Sequence, residues 1–337
     1  MDTLTKLNDA LERTPRIAFF CDPLHTLSVT DTTLALMKAF HTHGYEVYVF
    51  HKDELFVSPS HRAVCCSTKQ IVVTSDPSNM YSFVSDRTTY PLTYFDIIFI
   101  RTMPPVDAGY LHDLQLLSLA KQQGCFVVND PDSMLRNNEK LSVLKFPELS
   151  LPTIVSRNKA ELLEFFSKYS NRSIILKPVD LFGGSGVFLL KENDPNVEVV
   201  IDLLSNNGIN FIVGQPFEEK VKTLGDTRIL LINGKIFPFA LQRLPPQGSI
   251  RSNIACGGKG GLVELSEEEK QVAEEVRAWT KEEGLLFVGI DVIGGKLSEL
   301  NNTCPYFPIK KCEDELKSNI SKFIVEEFSK ELIKRII

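Results

Sequence analysis

The chain has 337 residues, 43% of them hydrophobic, and a formal net charge of -6. That length exceeds one small core and predicts two or three packed units, and the acidic balance carries none of the basic footprint of a nucleic-acid binder. No apolar run is long enough to cross a bilayer, the polar start MDTLTKLNDALERTP (a short helix or a loose tail) is unlike a secretory signal, and seven scattered cysteines fit a reduced, cytoplasmic protein.

In chain order, RIAFFC (16–21) is a short apolar run that suits a buried parallel strand. DTTLALMKAFHTHG (31–44) has helical spacing and a glycine stop, and YEVYVF (45–50) is the next strand. Residues 57–92 hold short β-like pieces that could form a hairpin inserted into the layer. DIIFIR (96–101), the helix AGYLHDLQLLSLAKQQG (108–124) and CFVVN (125–129) complete a strand–helix alternation that predicts a doubly wound α/β layer. The pattern changes near residues 129–135. NDPDSMLRNNEKLSVLKF (129–146) reads as a capped helical stretch. IILKP (174–178), GVFLLK (186–191), FIVGQPF (211–217), TRILLINGKIFPFALQRL (227–244) and GLLFVGIDVIGGKLSELN (284–301) add strands. Asn233-Gly234 is a two-residue hairpin turn, and SEEEKQVAEEVRAWTKEEG (266–284) is an amphipathic helix opened by a serine cap and acids. The second half is therefore predicted to be α+β with an antiparallel sheet.

Several stretches carry chemistry. ILKPVDLFGGSGVFLL (175–190) sets Lys177 at a strand end before Gly183, Gly184, Ser185 and Gly186. Such loops let backbone N–H groups approach phosphate oxygens, with the lysine as a point charge beside them. Alone, the same stretch is also a hairpin turn with one exposed lysine. It is neither a Walker A sequence nor a dinucleotide fingerprint. Arg228 enters a strand beside an apolar run, a place that also suits a surface residue. RLPPQGSIRSNIACGGKGG (243–261), with five glycines and with Arg251, Asn253 and Lys259, is a long irregular segment of the kind used as a lid.

In FVGIDVIGGKLSELNNT (287–303), Glu299 and Asn301 share a strand face. A two-residue Gly294-Gly295 turn would pair Val292 with Leu297 and turn Asp291 away from them. A three-residue loop would bring all three together, and convergence is expected to require that odd-length loop. Two carboxylates and an amide would then suit Mg²⁺ shared with nucleotide phosphates; the alternative is a solvated hairpin.

In this order the pieces resemble the ATP-grasp ligases, and among them the bacterial-type glutathione synthetases. The similarity runs from about residue 16 to residue 305 and rests on CDPL (21–24), RTMPPVD (101–107), VVNDPDSMLRNNEKL (127–141), IILKPVDLFGGSGVF (174–188), GDTRILLINGK (225–235) and FVGIDVIGGKLSELNNT. It implies an N-terminal doubly wound α/β domain (1–130), a small ATP-grasp lobe acting as lid (131–210) and a C-terminal ATP-grasp lobe with the metal site (211–337). Lys140 and Lys177 match lysines that contact ATP phosphates. Gly183, Gly184 and Ser185 match the small lid loop, and Gln215, Pro216 and Phe217 the hinge strand that meets adenine. Asp291, Glu299 and Asn301 match the ligands of Mg²⁺ (or Mn²⁺). Arg228 matches the arginine facing the transferred phosphate, and Arg251 and Asn253 lie in the larger flexible loop. The implied reaction joins γ-glutamylcysteine to glycine with ATP as co-substrate, giving glutathione, ADP and phosphate. The resemblance also implies a homo-oligomer, dimer or tetramer.

The chain departs from the family pattern at TDTT (30–33), RTMPP (101–105), GSIRSN (248–253) and CPYF (304–307), all in segments expected to face the acid or the amine. A ligase joining a different acid or amine is one alternative, and a non-catalytic nucleotide-binding protein with this fold is another. An oxidoreductase is disfavoured by the missing glycine fingerprint.

Overall fold

The computed structural model describes residues 3–74, 76, 79–169, 172–191 and 193–336. Its first sheet is built on the strand Arg16–Cys21, buried on both faces, which pairs in parallel with Glu46–Phe50 on one side and with Ile97–Arg101 on the other. Ile97–Arg101 continues in parallel to Val127–Val128. The helix Thr32–Thr42, N-capped by Asp31, crosses one way from the central strand, and the helix Ala108–Gln122, N-capped by Asp107, crosses the other way. The strand order therefore reverses between Arg16–Cys21 and Ile97–Arg101, the topological switch point of the sheet.

The segment expected as an inserted hairpin instead widens this sheet. Ala63–Val73 runs antiparallel to Glu46–Phe50, and Leu55–Ser58, Tyr81–Phe83 and Thr88–Pro91 all pair with Ala63–Val73.

A four-stranded antiparallel sheet follows in the order Phe188–Leu190, Ile174–Pro178, Ile212–Pro216, Ile154–Ser156. The helices Lys159–Lys168 and Val197–Ser205 cover it; neither is anticipated by the sequence reading, although Asn158 caps the first and apolar residues stripe both. Leu162, Phe166, Ile174, Leu176, Ile201 and Ile212 give this unit its own core. The third sheet has the order Lys259–Glu264, Lys235–Leu244, Asp226–Ile232, Phe287–Ile293, Lys296–Asn301, all antiparallel. Asn233 and Gly234 both have positive φ and close a two-residue hairpin. Ser266 and Glu269 form a capping box on the helix Glu267–Glu282. The C-terminal helices Ile309–Leu316 and Ile320–Ile336 return to the first unit, where Phe328 lies on Phe99 at 4.8 Å between ring centroids. Among the described residues no helix is long and apolar enough to cross a membrane, and all seven cysteines are free.

Two apolar clusters run without a break from the first sheet into the third, so these two units are welded along a shared core. Asn129, at the end of the Val127–Val128 strand, stitches the same seam. Its amide donates to the Phe287 carbonyl at 2.9 Å and the Asn302 carbonyl at 2.7 Å, and its oxygen accepts from the Phe287 N–H at 2.8 Å. Asn129→Ala would leave three buried backbone groups without partners. A loss of about 3 kcal/mol is expected at roughly 1–3 kcal/mol for an unsatisfied group, with partial relaxation. A lowered urea midpoint reads it; an unchanged midpoint would mean that the seam is held by apolar packing alone.

Candidate active site

The candidate site lies between the second and third sheets. Register places a row of charged side chains on one face of the third sheet. Asp226 stands opposite Arg243, Arg228 opposite Asp291, and Asp291 opposite Glu299. Asn301, two residues beyond Glu299, shares that face.

The convergence of Asp291, Glu299 and Asn301 does not come from an odd-length loop. Gly294 and Gly295, both at positive φ, form a two-residue turn with Ile293 opposite Lys296 and Val292 opposite Leu297. The register then shifts between Asp291 and Val292, and the extra residue, Ser298, is absorbed as a bulge. The pairing that would have turned Asp291 away is present, and the bulge reverses its consequence.

Asp291 is 3% exposed and held from several sides. Arg228 donates from Nε to Oδ1 at 2.8 Å and from Nη2 to Oδ2 at 2.7 Å. Arg243 Nη2 lies 2.9 Å from Oδ2, and Asn301 Nδ2 donates to Oδ2 at 3.2 Å. Burial alone would raise this carboxyl, but Arg228 and Arg243 outweigh it and hold it well below the usual carboxylate range. Arg243 also makes a two-pronged pair with Asp226, at 2.6 and 2.8 Å. Burial and the neighbouring Asp291 charge push the Asp226 carboxyl upward against that pull. Glu299 faces Lys140 at 3.2 Å; burial works against its charge, and Lys140 and Lys177 bring its pKa below the ordinary value.

The second sheet supplies the opposing wall. Lys177, at 9% exposure, has no ion-pair or hydrogen-bond partner among the described residues, and burial lowers its pKa. Lys140 also donates to the Leu181 carbonyl, which ties the glycine-rich loop to the row of acids. Gln215, Pro216 and Phe217 line the same pocket with Leu151, Ile175 and Val187. Gln215 Nε2 donates to the Thr153 hydroxyl at 2.9 Å, and the Phe217 carbonyl accepts from Arg172 at 2.8 Å.

The two loops meet over this pocket. Arg251 Nη1 donates to the Gly184 carbonyl at 3.3 Å, and the Cys256 thiol to the Gly183 carbonyl at 3.0 Å. Gly184 sits at φ +80°, where a Cβ would come within 2.8 Å of Asn253 Oδ1, so only glycine allows this approach. The irregular stretch is shorter than the sequence suggests, because Lys259, Gly260 and Gly261 are in a strand paired with Leu244, Arg243 and Gln242.

Thus Lys140, Lys177, Gly183, Gly184, Ser185, Gln215, Pro216, Phe217, Arg251, Asn253, Asp291 and Glu299 line one pocket, Arg228 and Asn301 reach it through Asp291, and Lys259 lies apart from it in the edge strand. Sequence reasoning missed Asp226, Arg243, Ser252 and Ser298, and the apolar wall of Leu151, Ile175 and Val187. Among the described residues no group of three or more His, Cys, Asp and Glu forms a metal cage. The available donors are two carboxylates and the Asn301 amide. Such hard oxygen ligands fit Mg²⁺ when phosphate oxygens complete its shell.

The family model of the prokaryotic glutathione synthetase ATP-grasp domain matches residues 139–315, and that of the prokaryotic glutathione synthetase N-terminal domain matches residues 16–136. A glutathione synthetase of Vibrio vulnificus (strain YJ016) is 38% identical over 291 residues, 86% of this chain and 90% of the relative. One of Escherichia coli (strain K12) is 33% identical over 313 residues, covering 92% and 96%. In fold the chain is similar to a D-cycloserine synthetase (TM-score 0.66, 15% identity, 94% of this chain and 99% of the other). It is also similar to D-alanyl-alanine synthetase A of Vibrio cholerae (TM-score 0.58, 14% identity, 95% and 99%).

The depressed carboxyls make stability depend on acid. Protonating Asp291 or Glu299 favours the unfolded chain. Their contribution is complete above the unfolded carboxylate range, about 4, and is lost as pH falls through their lowered folded values. Asp291→Asn strands two buried guanidinium groups and is expected to cost about 3–5 kcal/mol at neutral pH. Measured by urea unfolding, the gap to wild type should narrow as pH drops below about 4. A gap of constant size down to strong acid would show that the ion pairs are not its source.

Proposed function

The chain belongs to the prokaryotic glutathione synthetase family, and we propose that it is an ATP-dependent carboxylate–amine ligase that joins γ-glutamylcysteine to glycine, acting in the cytoplasm. One observation carries the reading of the site: the unpartnered ammonium of Lys177 faces a row of oxygen donors across a pocket roofed by two glycine-bearing loops. A triphosphate supplies the charge that Lys177 lacks.

In this reading the small lobe (131–210) and the C-terminal lobe (211–337) hold ATP between them, behind an N-terminal domain of residues 1–130. The apolar wall and the strand through Gln215, Pro216 and Phe217 take the adenine. Lys140 and Lys177 take phosphate oxygens, and Gly183, Gly184 and Ser185 close over them with backbone N–H groups. Asp291, Glu299 and Asn301 would hold Mg²⁺, or Mn²⁺ in its place, which when bound would neutralise phosphate charge as a Lewis acid. Arg228 faces the phosphoryl group in transfer. A carboxylate oxygen of the acid attacks the terminal phosphorus and ADP leaves, giving an acyl phosphate. The glycine nitrogen then attacks the acyl carbon, phosphate leaves, and the nitrogen gives up a proton. The protein's own residues position the reactants and offset charge, and no side-chain nucleophile is required. A dimer or tetramer is part of the same proposal. The altered CPYF stretch at 304–307 favours, as a second reading, the same chemistry with another acid or amine.

The test is phosphate release with ATP, Mg²⁺ and γ-glutamylcysteine against a panel of amines, with product measured alongside. Glycine is expected to give phosphate and glutathione one-to-one, and Glu299→Gln to abolish both in a chain that is folded by circular dichroism, with a urea midpoint lowered by the loss of the Lys140 pair. Preference for another amine would replace glycine in the proposal, and full activity in Glu299→Gln would remove this carboxylate from the metal site.

Arg251→Ala probes the lid. Without its link to the Gly184 carbonyl, water should reach the acyl phosphate, so ATP hydrolysed per peptide bond formed rises above one as ligase flux falls. One-to-one coupling at the wild-type rate would show that the loop is only a linker.

A further inference from the structure

A thiol makes one of the contacts by which the two loops meet over the pocket. Cys256 ends the short turn Ile254–Cys256 in the larger loop, is half-buried, and donates from Sγ to the Gly183 carbonyl at 3.0 Å. Arg251 donates to the next carbonyl, Gly184, at 3.3 Å. The point where a Cβ on Gly184 would stand is 3.2 Å from Cys256 Sγ and 3.2 Å from Arg251 Cδ, so thiol and arginine lie side by side against the glycine-rich loop. Below them, in the pocket lined by Gly183, Gly184 and Arg251, is Lys177, at 9% exposure and with no ion-pair or hydrogen-bond partner among the described residues. A buried cation left in that way calls for an anionic ligand, so the Cys256 contact belongs to the cover of a binding site.

The other thiols are poorly placed for chemistry with solvent. Cys21, Cys65, Cys66, Cys125 and Cys312 are buried. Cys304 donates to the Arg101 carbonyl at 3.4 Å, and burial pushes its pKa up to about 11, which leaves little thiolate at neutral pH. Beside Cys256 the chain is open: a Cβ on Gly257 would meet nothing nearer than Pro246 at 3.9 Å, which leaves room for an incoming molecule. Arg251 and Lys259 are exposed nearby, and neither pairs with a carboxylate among the described residues, so the approach favours an anion.

We propose that Cys256 is a modification site that takes an anionic low-molecular-weight disulfide. The thiol gives its proton to water, and the thiolate attacks one sulfur of the disulfide. The new Sγ–S bond forms as the old S–S bond breaks, and the other half leaves as a thiolate that takes up a proton. One disulfide is consumed and one is formed, so Cys256 is oxidised, the leaving half is reduced and no further oxidant enters. Excess thiol runs the exchange backward. The adduct removes the S–H donor to Gly183 and sets a bulky group where the loops meet, so Arg251 also loses its seat on Gly184. The cover is held open and nucleotide binding weakens. This effect rests on the nucleotide-binding part of the ligase reading and is independent of which acid and amine are joined.

The test treats the whole reduced chain with glutathione disulfide at neutral pH and maps the adduct by peptide mass spectrometry. One glutathionyl group per chain is expected, on Cys256, released by dithiothreitol. ATP affinity, read by titration calorimetry, should fall about 10-fold or more in the adduct, since two loop contacts are lost, and return on reduction. By linkage, saturating ATP should shift the exchange toward free thiol by the same factor. Cys256→Ser keeps a hydroxyl toward Gly183 and cannot form the adduct, so its own ATP affinity should be the same before and after treatment. Arg251→Gln should slow the reaction with glutathione disulfide about 3-fold or more and leave that with the neutral bis(2-hydroxyethyl) disulfide unchanged. Adducts on other cysteines only, an adduct on Cys256 that leaves ATP affinity unaltered, or equal slowing of both reagents in Arg251→Gln would overturn the proposal. Failure of the ligase reading looks different: the untreated chain binds no ATP, or forms no product from γ-glutamylcysteine and glycine, while Cys256 takes the adduct as before and the modification site stands.

Discussion

The charge on Asp291 is the constraint around which the C-terminal half is arranged. A carboxylate this deeply buried is tolerable only when its oxygens are matched by cations in good geometry. Here the match comes from three other strands: Arg228 on one neighbour, Asn301 on the other, and Arg243 one strand further out. A one-residue slip anywhere among the four strands would turn one of these groups to the opposite face and leave charge unpaired in the interior. Apolar residues on the same strands would tolerate several registers, and the ion cluster admits one. The constraint also reaches beyond the sheet, because Arg228 spends its remaining nitrogen on the Tyr306 carbonyl and thereby fixes the loop that Arg101 holds from the other side.

Much of this was legible in the sequence, and the limits have physical causes. The parallel strands at 16–21, 46–50 and 97–101 are short apolar runs separated by helical periodicity, and that signal is local. The glycine-rich loop, the Asn233-Gly234 turn and the Ser266 cap are local as well. Pairing register is not. The bulge at Ser298, on which the meeting of Asp291 and Glu299 depends, leaves no mark in SELN, since any small residue can occupy it. The shift between Ile229 and Leu231 in the neighbouring hairpin is likewise what brings Arg243 opposite Asp226. Counting regularly from the Asn233-Gly234 turn would pair Asp226 with Leu241, so Arg243 reads as an ordinary strand residue. Pro238, which cannot donate to a ladder, is the one hint in the sequence of an irregularity there. The inserted segment 57–92 failed for a related reason: Ala63–Val73 alternates weakly and gains its identity only by pairing with four other strands.

The two halves of the site differ in how they are held. The row of acids lies on a sheet that shares two apolar clusters with the first domain, so its geometry is fixed by the body of the molecule. The opposing wall belongs to a unit with a separate core. It is tied to the row of acids through Lys140 and to the larger loop through the Arg251 and Cys256 contacts, which are few and partly exposed. On the proposed assignment, a surface fixed by the body of the molecule faces a wall with few ties to it, an arrangement that would let a nucleotide enter and be covered by movement of the wall alone.

Charge balance then sets the order of events on the proposed assignment. Without ligand, Lys140, Lys177, Arg228 and Arg243 face Asp226, Asp291 and Glu299, a surplus of one positive charge residing on Lys177. Asp291 is already neutralised by its arginines and Glu299 by Lys140, so a lone divalent cation would find both carboxylates engaged and would add charge to a site that already has a surplus. A polyphosphate reverses the sign: it satisfies Lys177 and leaves negative charge that the remaining cations cannot cover. Only then would the donors on the Asp291 face favour a divalent ion, which would offset the added phosphate charge. Metal and nucleotide affinities are for that reason linked, each strengthening the other by the same factor. On this assignment the ion-paired resting state would disfavour a metal that arrives without its nucleotide.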